Sequence, residues 1–201
     1  MKRSKWLIMI LALFLVGSMA SDGQTGPAVK TDFTADDMFD PTGLCFQKGV
    51  VGTVEELPTI TCPGGELLAT PPGDPSDNPC TPGSRVHTRG YVITTEFIST
   101  DPRVDGVSTI TVNANFDADG NGPAWGTISI SPYEGGTWEG VWEGIRRKVE
   151  SVWMIPVHAS LRGTGPLEGM HYKAVDTIVT PTFVVVCYTG FIDGVIIDPH
   201  P

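Results

Sequence analysis

From residue 85 to the end of the chain, apolar and polar residues alternate in short runs separated by Gly-, Asp- and Pro-bearing turns. That period of two is the repeat of a half-buried β-strand, and it leaves no room for long amphipathic helices. Val86 to Ser99 sets Tyr91, Ile93 and Phe97 on one face against Thr88, Thr94 and Glu96 on the other. Val107 to Phe116 groups Ile110, Val112, Ala114 and Phe116, and Trp125 to Ser131 alternates around Ile128 and Ile130. Thr137 to Ile145 puts Trp138, Gly140, Trp142 and Gly144 together, and Arg146-Arg147-Lys148 reads as a solvated hairpin tip. Val149 to Leu161, Leu167 to Val179 and Phe183 to Asp193 complete the series. Consecutive strands on short turns pair antiparallel, and one apolar face of each must be covered. The expectation is an all-β fold, an antiparallel barrel of about seven or eight strands, with a β-sandwich as the alternative.

The N-terminus predicts export. Lys2, Arg3 and Lys5 precede an apolar run of 11 residues from Trp6 to Val16, and small residues follow up to Ala20. This is the pattern of a secretory signal peptide cleaved after Ala20; at about 1.5 Å per residue the run is too short to cross a bilayer core of roughly 30 Å. A secreted or periplasmic protein with no membrane insertion after cleavage is expected. The chain has 23 acidic and 13 basic residues; three of the basic ones lie in the leader, leaving 10 and a net charge of −13. Such a surface repels phosphate backbones, so nucleic acid is not an expected partner.

Residues 21–84 read differently. Up to about Asp40 the chain is polar and acidic, which suggests a loosely packed arm, and beyond it is dense in Pro and Gly, with one short strand expected between Phe46 and Val54. Three cysteines, Cys45, Cys62 and Cys80, fall here, and the fourth, Cys187, lies in a late apolar run. An even count in an oxidising compartment favours two disulfides, with three connectivities open. If all four are bonded, one bridge ties this segment to Cys187. The organisation expected is a signal peptide at 1–20, an irregular Cys/Pro/Gly-rich segment at 21–84 and a barrel domain at 85–201.

Two motifs carry a resemblance: Gly136-Thr137-Trp138-Glu139-Gly140-Val141-Trp142-Glu143-Gly144, and Gly163-Thr164-Gly165-Pro166-Leu167-Glu168-Gly169-Met170. Residues 85–201 resemble allene-oxide-cyclase-type β-barrels and related secreted bacterial barrel proteins. The resemblance implies a barrel whose apolar lumen holds a small lipophilic molecule; no catalytic residue of the cyclases maps onto this chain.

Candidate chemistry is sparse. Trp138 and Trp142 share a face with the notch of Gly140 between them, and Trp153 on the next strand can join them in an aromatic-walled ligand pocket, as against ordinary core packing. Asp117, Asp119 and Asn121 match the first half of a calcium loop, D-x-D-x-N-G, but Ile128 stands where its bidentate carboxylate belongs, and an acidic turn explains the same letters. No other cofactor is indicated. His87, His158 and His171 lack metal-ligand spacing; Glu96, Glu139, Glu143 and Asp176 could supply a carboxylate pair for acid–base work, but a solvated face is the favoured reading. The leading expectation is an exported, non-catalytic barrel binding a small apolar or amphipathic ligand. A cyclase or isomerase working in the lumen, which requires a polar group buried among the aromatics, is one alternative; a structural or interaction module of the cell envelope is the other.

Overall fold

The computed structural model describes residues 27–68 and 78–199; the signal-peptide reading lies outside them. Ten strands form one antiparallel sheet: β1 (Val29–Phe39), β2 (Thr53–Glu56), β3 (Thr59–Thr61), β4 (Val86–Ser99), β5 (Gly106–Phe116), β6 (Gly122–Pro132), β7 (Thr137–Val149), β8 (Val152–Thr164), β9 (His171–Thr180) and β10 (Tyr188–Asp198). From β4 to β10 the chain is a meander in which each strand pairs with the next. β1 then lies between the two ends, paired with β10 along its whole length and with β4 from Ala35 to Met38. Eight strands, β1 and β4 to β10, thus close a barrel, the size at which side chains fill the interior or leave space for one small ligand.

The alternation is realised as read except at Thr88, which a register shift before Tyr91 turns inward and buries. Tyr91, Ile93, Phe97, Ile110, Val112, Ala114, Phe116, Ile128, Ile130, Trp138, Trp142, Trp153, Ile155, Val157 and Leu161 are all buried. Two readings need correction. The acidic segment before Asp40 is the eighth stave of the barrel, with Phe33, Ala35, Asp37 and Phe39 turned inward. The domain boundary at residue 84 therefore does not hold. β2 and β3 cover the rest of the β4 edge, so the Pro/Gly-rich segment also shields an edge that would otherwise offer free backbone groups.

The second correction concerns Arg146. β7 runs through the supposed hairpin tip to Val149, and the turn is Glu150-Ser151. Arg146 falls on an inward position and is fully buried. Its guanidinium lies over the rings of Phe116, Trp153 and Phe183, at 4.6, 4.5 and 5.8 Å from their centroids, and donates to the carbonyls of Thr182 and Phe183. Only Nε is left without a partner.

Both barrel ends are sealed. At one, Trp138 packs on Tyr172, Tyr172 on Phe33, and the Trp138 indole donates to the Arg103 carbonyl at 2.6 Å. At the other, the connection from β9 to β10 (residues 181–187) folds across the opening, with Phe183 against Trp153. The bridges are Cys62–Cys80 and Cys45–Cys187. The first packs into the Trp153–Phe183 cluster, and the second ties the segment after β1 to the end of the β9–β10 connection, 142 residues away.

Because β1 is part of the wall, a chain beginning at residue 85 leaves the facing edges of β4 and β10 open and loses three buried apolar side chains. Such a fragment is expected to aggregate or to lack a cooperative melt by circular dichroism. A monomeric fragment with a sharp transition would show that β1 is dispensable.

Candidate functional site: a carboxyl pair in the barrel lumen

An internal cavity with about 60 Å³ of open space lies between the sealed ends. Its wall is almost wholly apolar and includes Ile93, Phe97, Ile110, Ile128, Trp142 and Val157. The exceptions are Asp37 from β1, Thr88 from β4, Asp176 from β9, and the tyrosines Tyr91, Tyr172 and Tyr188 from β4, β9 and β10.

Register explains how two acids reach this interior. On β9, Tyr172, Ala174, Asp176 and Ile178 are in phase, so Asp176 must point inward if its neighbours do. On β1 the same phase carries Asp37 between Ala35 and Phe39. Between them on β10 lies Gly190, paired with Asp37 on one side and Ile178 on the other. A Cβ at Gly190 would lie 2.6 Å from Asp176 Oδ1. The missing side chain is the space the carboxyl occupies.

The two acids are held differently. Asp37 accepts a hydrogen bond from the Tyr188 hydroxyl at 2.8 Å, and Thr95 sets its hydroxyl 3.3 Å from the other oxygen while also donating to the Met38 carbonyl. Asp176 is 8% exposed, and its Oδ1 is buried without a hydrogen-bond partner. Loss of hydration disfavours the charged form of both. Burial raises Asp37 to about 7 against the opposing pull of its hydrogen bonds, and burial together with the charge of Asp37 raises Asp176 to about 8. Burial likewise pushes Tyr91 up to about 12, and burial with help from the two acids raises Tyr172 and Tyr188 above the usual phenol range.

Of the residues expected at a ligand site, only Trp142 lines the cavity. Its indole donates to the Thr111 carbonyl at 3.1 Å, passing over Gly126, where a Cβ would lie 2.8 Å from its Nε1. Trp138 belongs to one seal. Trp153 belongs to the other, donating to the Asp119 carbonyl at 2.9 Å. The Gly140 notch is filled by backbone: a Cβ there would stand 2.1 Å from the Ser160 carbonyl oxygen. The structure thus brings together none of Trp138, Trp142 and Trp153 as a single cage.

The calcium-like run is a turn. Asp117 Oδ1 accepts from the backbone amides of Asp119 and Asn121 at 3.0 and 2.8 Å, and Asn121 Oδ1 accepts from the Lys148 amide at 2.7 Å. Gly120 has φ +81° and carries the turn over the Trp153 indole, where a Cβ would approach Nε1 to 2.6 Å. Among the described residues no three His, Cys, Asp or Glu side chains converge as metal ligands. Asp176, read from sequence with the solvated carboxylates, is in the lumen. Asp37 and the three tyrosines were not read as site residues at all. Comparison with protein-family models, with curated proteins and with solved structures gives no match to this chain.

The raised acids have a consequence for stability. The native state keeps protons that an unfolded chain releases near pH 3.8, so stability falls as pH rises from there through about 7 and 8, and levels off above. Asp176→Asn removes part of that loss. Its melting temperature should exceed that of the parent by on the order of 5 °C near pH 9, with a much smaller gap near pH 4. A gap that does not change with pH would place the Asp176 carboxyl in water. Gly190→Ala, by contrast, should lower stability at both pH values, because the new methyl displaces Asp176.

Proposed function

We propose that this chain is an exported β-barrel that takes into its lumen one small, mainly apolar molecule carrying a single polar group. The observation that carries the reading is the buried, unpartnered oxygen of Asp176 in a mainly apolar wall. A buried acceptor without a donor costs about 1–3 kcal/mol, and a ligand that supplies the donor recovers it. Small-molecule sites combine an apolar lining with a few convergent polar groups in this way. Export is supported by the leader-like N-terminus and by two disulfides, which persist in oxidising compartments. Among the described residues no helix is long and apolar enough to cross a membrane. The resemblance to allene-oxide-cyclase-type barrels implies the same use of the lumen.

The test is intrinsic fluorescence titration with small alcohols, ketones, amines and terpenoids. Trp142→Phe should abolish most of the response, because Trp142 is the indole at the cavity. Trp125→Phe, on the outer face beside Arg89, should leave it intact. The reverse outcome would put the ligand on the barrel exterior.

A second reading, acid–base catalysis of a cyclisation or isomerisation, is favoured by one further observation. Two carboxyls in one lumen, raised to about 7 and 8, supply a proton donor and a proton acceptor near neutrality. Conversion of a small β,γ-unsaturated ketone to its conjugated isomer, followed by ultraviolet absorbance, should then depend on Asp176. A rate equal in the parent and in Asp176→Asn would leave binding as the function.

A further inference from the structure

We infer that the polar group for which the lumen is built is an ammonium: the site formed by Asp37, Asp176 and the surrounding aromatic side chains takes a small amphipathic amine. This deepens the lumen reading above and rests on it.

Three features lead there. First, the two acids face one cavity from β1 and β9, and no Lys, Arg or His is among its lining residues. The groups turned toward the pair are Tyr188 from β10, Tyr91 from β4, Tyr172 from β9 itself and Thr95 from β4. None brings positive charge. Arg146, the buried cation among the described residues, is committed at the far end to two carbonyls and three rings. A neutral hydroxyl would satisfy Asp176 Oδ1 and do nothing to favour the ionised form of either acid. A cation satisfies the oxygen and favours the ionised form of both.

Second, the wall beside the acids is aromatic. Tyr91, Tyr172, Tyr188, Phe97 and Trp142 all line the cavity. Tyr188 stacks on Phe39 at 5.8 Å and Tyr172 packs on Phe33 at 5.2 Å, so these rings are fixed in place. Ring faces attract cations, more strongly in a desolvated site, and they also accept an alkyl tail. Third, folding has already stripped water from both carboxyls, so a ligand does not bear that cost on binding. The net charge of −10 adds a field that draws cations to the molecule.

Near neutral pH the acids hold protons that an incoming ammonium displaces, so binding should release protons to the buffer. The experiment is calorimetric titration of the full, disulfide-bonded protein with butylamine, butanol and butanoate, in two buffers of different ionisation enthalpy at pH near 7. Butylamine should bind at least about tenfold more tightly than butanol, with net proton release, and butanoate should not bind. Asp176→Asn and Asp37→Asn, each checked for an intact melt, should lose the preference for the amine while still binding butanol. Equal affinity for butylamine and butanol, or a preference that survives both substitutions, overturns the ammonium assignment and leaves the lumen reading standing. No heat and no fluorescence change with any of the three ligands overturns both.

Discussion

Everything in this barrel depends on closure by β1. Seven strands in a meander leave two edges and an interior open along one side. One strand from the far N-terminal end of the described chain fills that gap and contributes Phe33, Ala35, Asp37 and Phe39 to the inside. Closure removes the free edges, and it also creates the site, since Asp37 enters the lumen on the closing strand itself. The Cys45–Cys187 bridge fastens the chain just beyond that strand to the β9–β10 connection. In the chain-entropy description a loop of this length is worth on the order of 5 kcal/mol, applied where the barrel is joined.

Arg146 and the Asp37–Asp176 pair are buried inside the barrel in opposite ways. Arg146 is given two carbonyl acceptors and three aromatic faces, and burial lowers it only to about 9, so it is a cation holding the residue 181–187 connection across one end. A buried charge with its partners in place is part of the structure. Asp176 is given no donor for Oδ1, and its nearest charge, Asp37, is of the same sign. The fold could have avoided that cost with an apolar residue, as it does at Ala174 and Ile178 on the same face. Two acids stand instead on the inward rows of β1 and β9, with Gly190 of β10 between them to make room.

The same two acids and the arginine explain where the sequence was hard to read. Strands β5, β6 and β8 stand out because their inward positions are apolar without interruption for three or more repeats. In β1 the inward row runs Phe33, Ala35, Asp37, Phe39, and the aspartate at the third step, among Asp32 and Asp36 on the other face, makes the segment look like an acidic arm. Arg146 interrupts β7 in the same way and makes Arg146-Arg147-Lys148 look like a hairpin tip. Asp176 was legible by phase alone, since Tyr172, Ala174 and Ile178 bracket it at spacing two. Hydropathy patterns score a charged residue by its usual preference for water, and that preference is what a lumen site overrides. The tryptophans mislead in the other direction: three indoles near one another in sequence are divided among a seal, the wall and a second seal, because each donates to a different backbone carbonyl.

Cavity size then decides which part of the wall must give. About 60 Å³ is room for roughly two waters, whereas a dry cavity that binds benzene measures on the order of 150 Å³. The strands are paired on both sides and cannot separate without breaking ladders of backbone hydrogen bonds. Val184 and Val185 line the same cavity but belong to the β9–β10 connection, which is joined to the barrel by Arg146, by the Thr180 hydroxyl donating to the Cys187 carbonyl at 2.7 Å, and by the disulfide at its end. Enlarging the cavity by moving its wall costs least at these two valines, since no backbone ladder is broken there. The covalent anchor at Cys187 and the caged arginine at residues 182–183 limit that movement to the stretch between them. Val184 and Val185 are therefore the part of the cavity wall that no strand ladder holds in place.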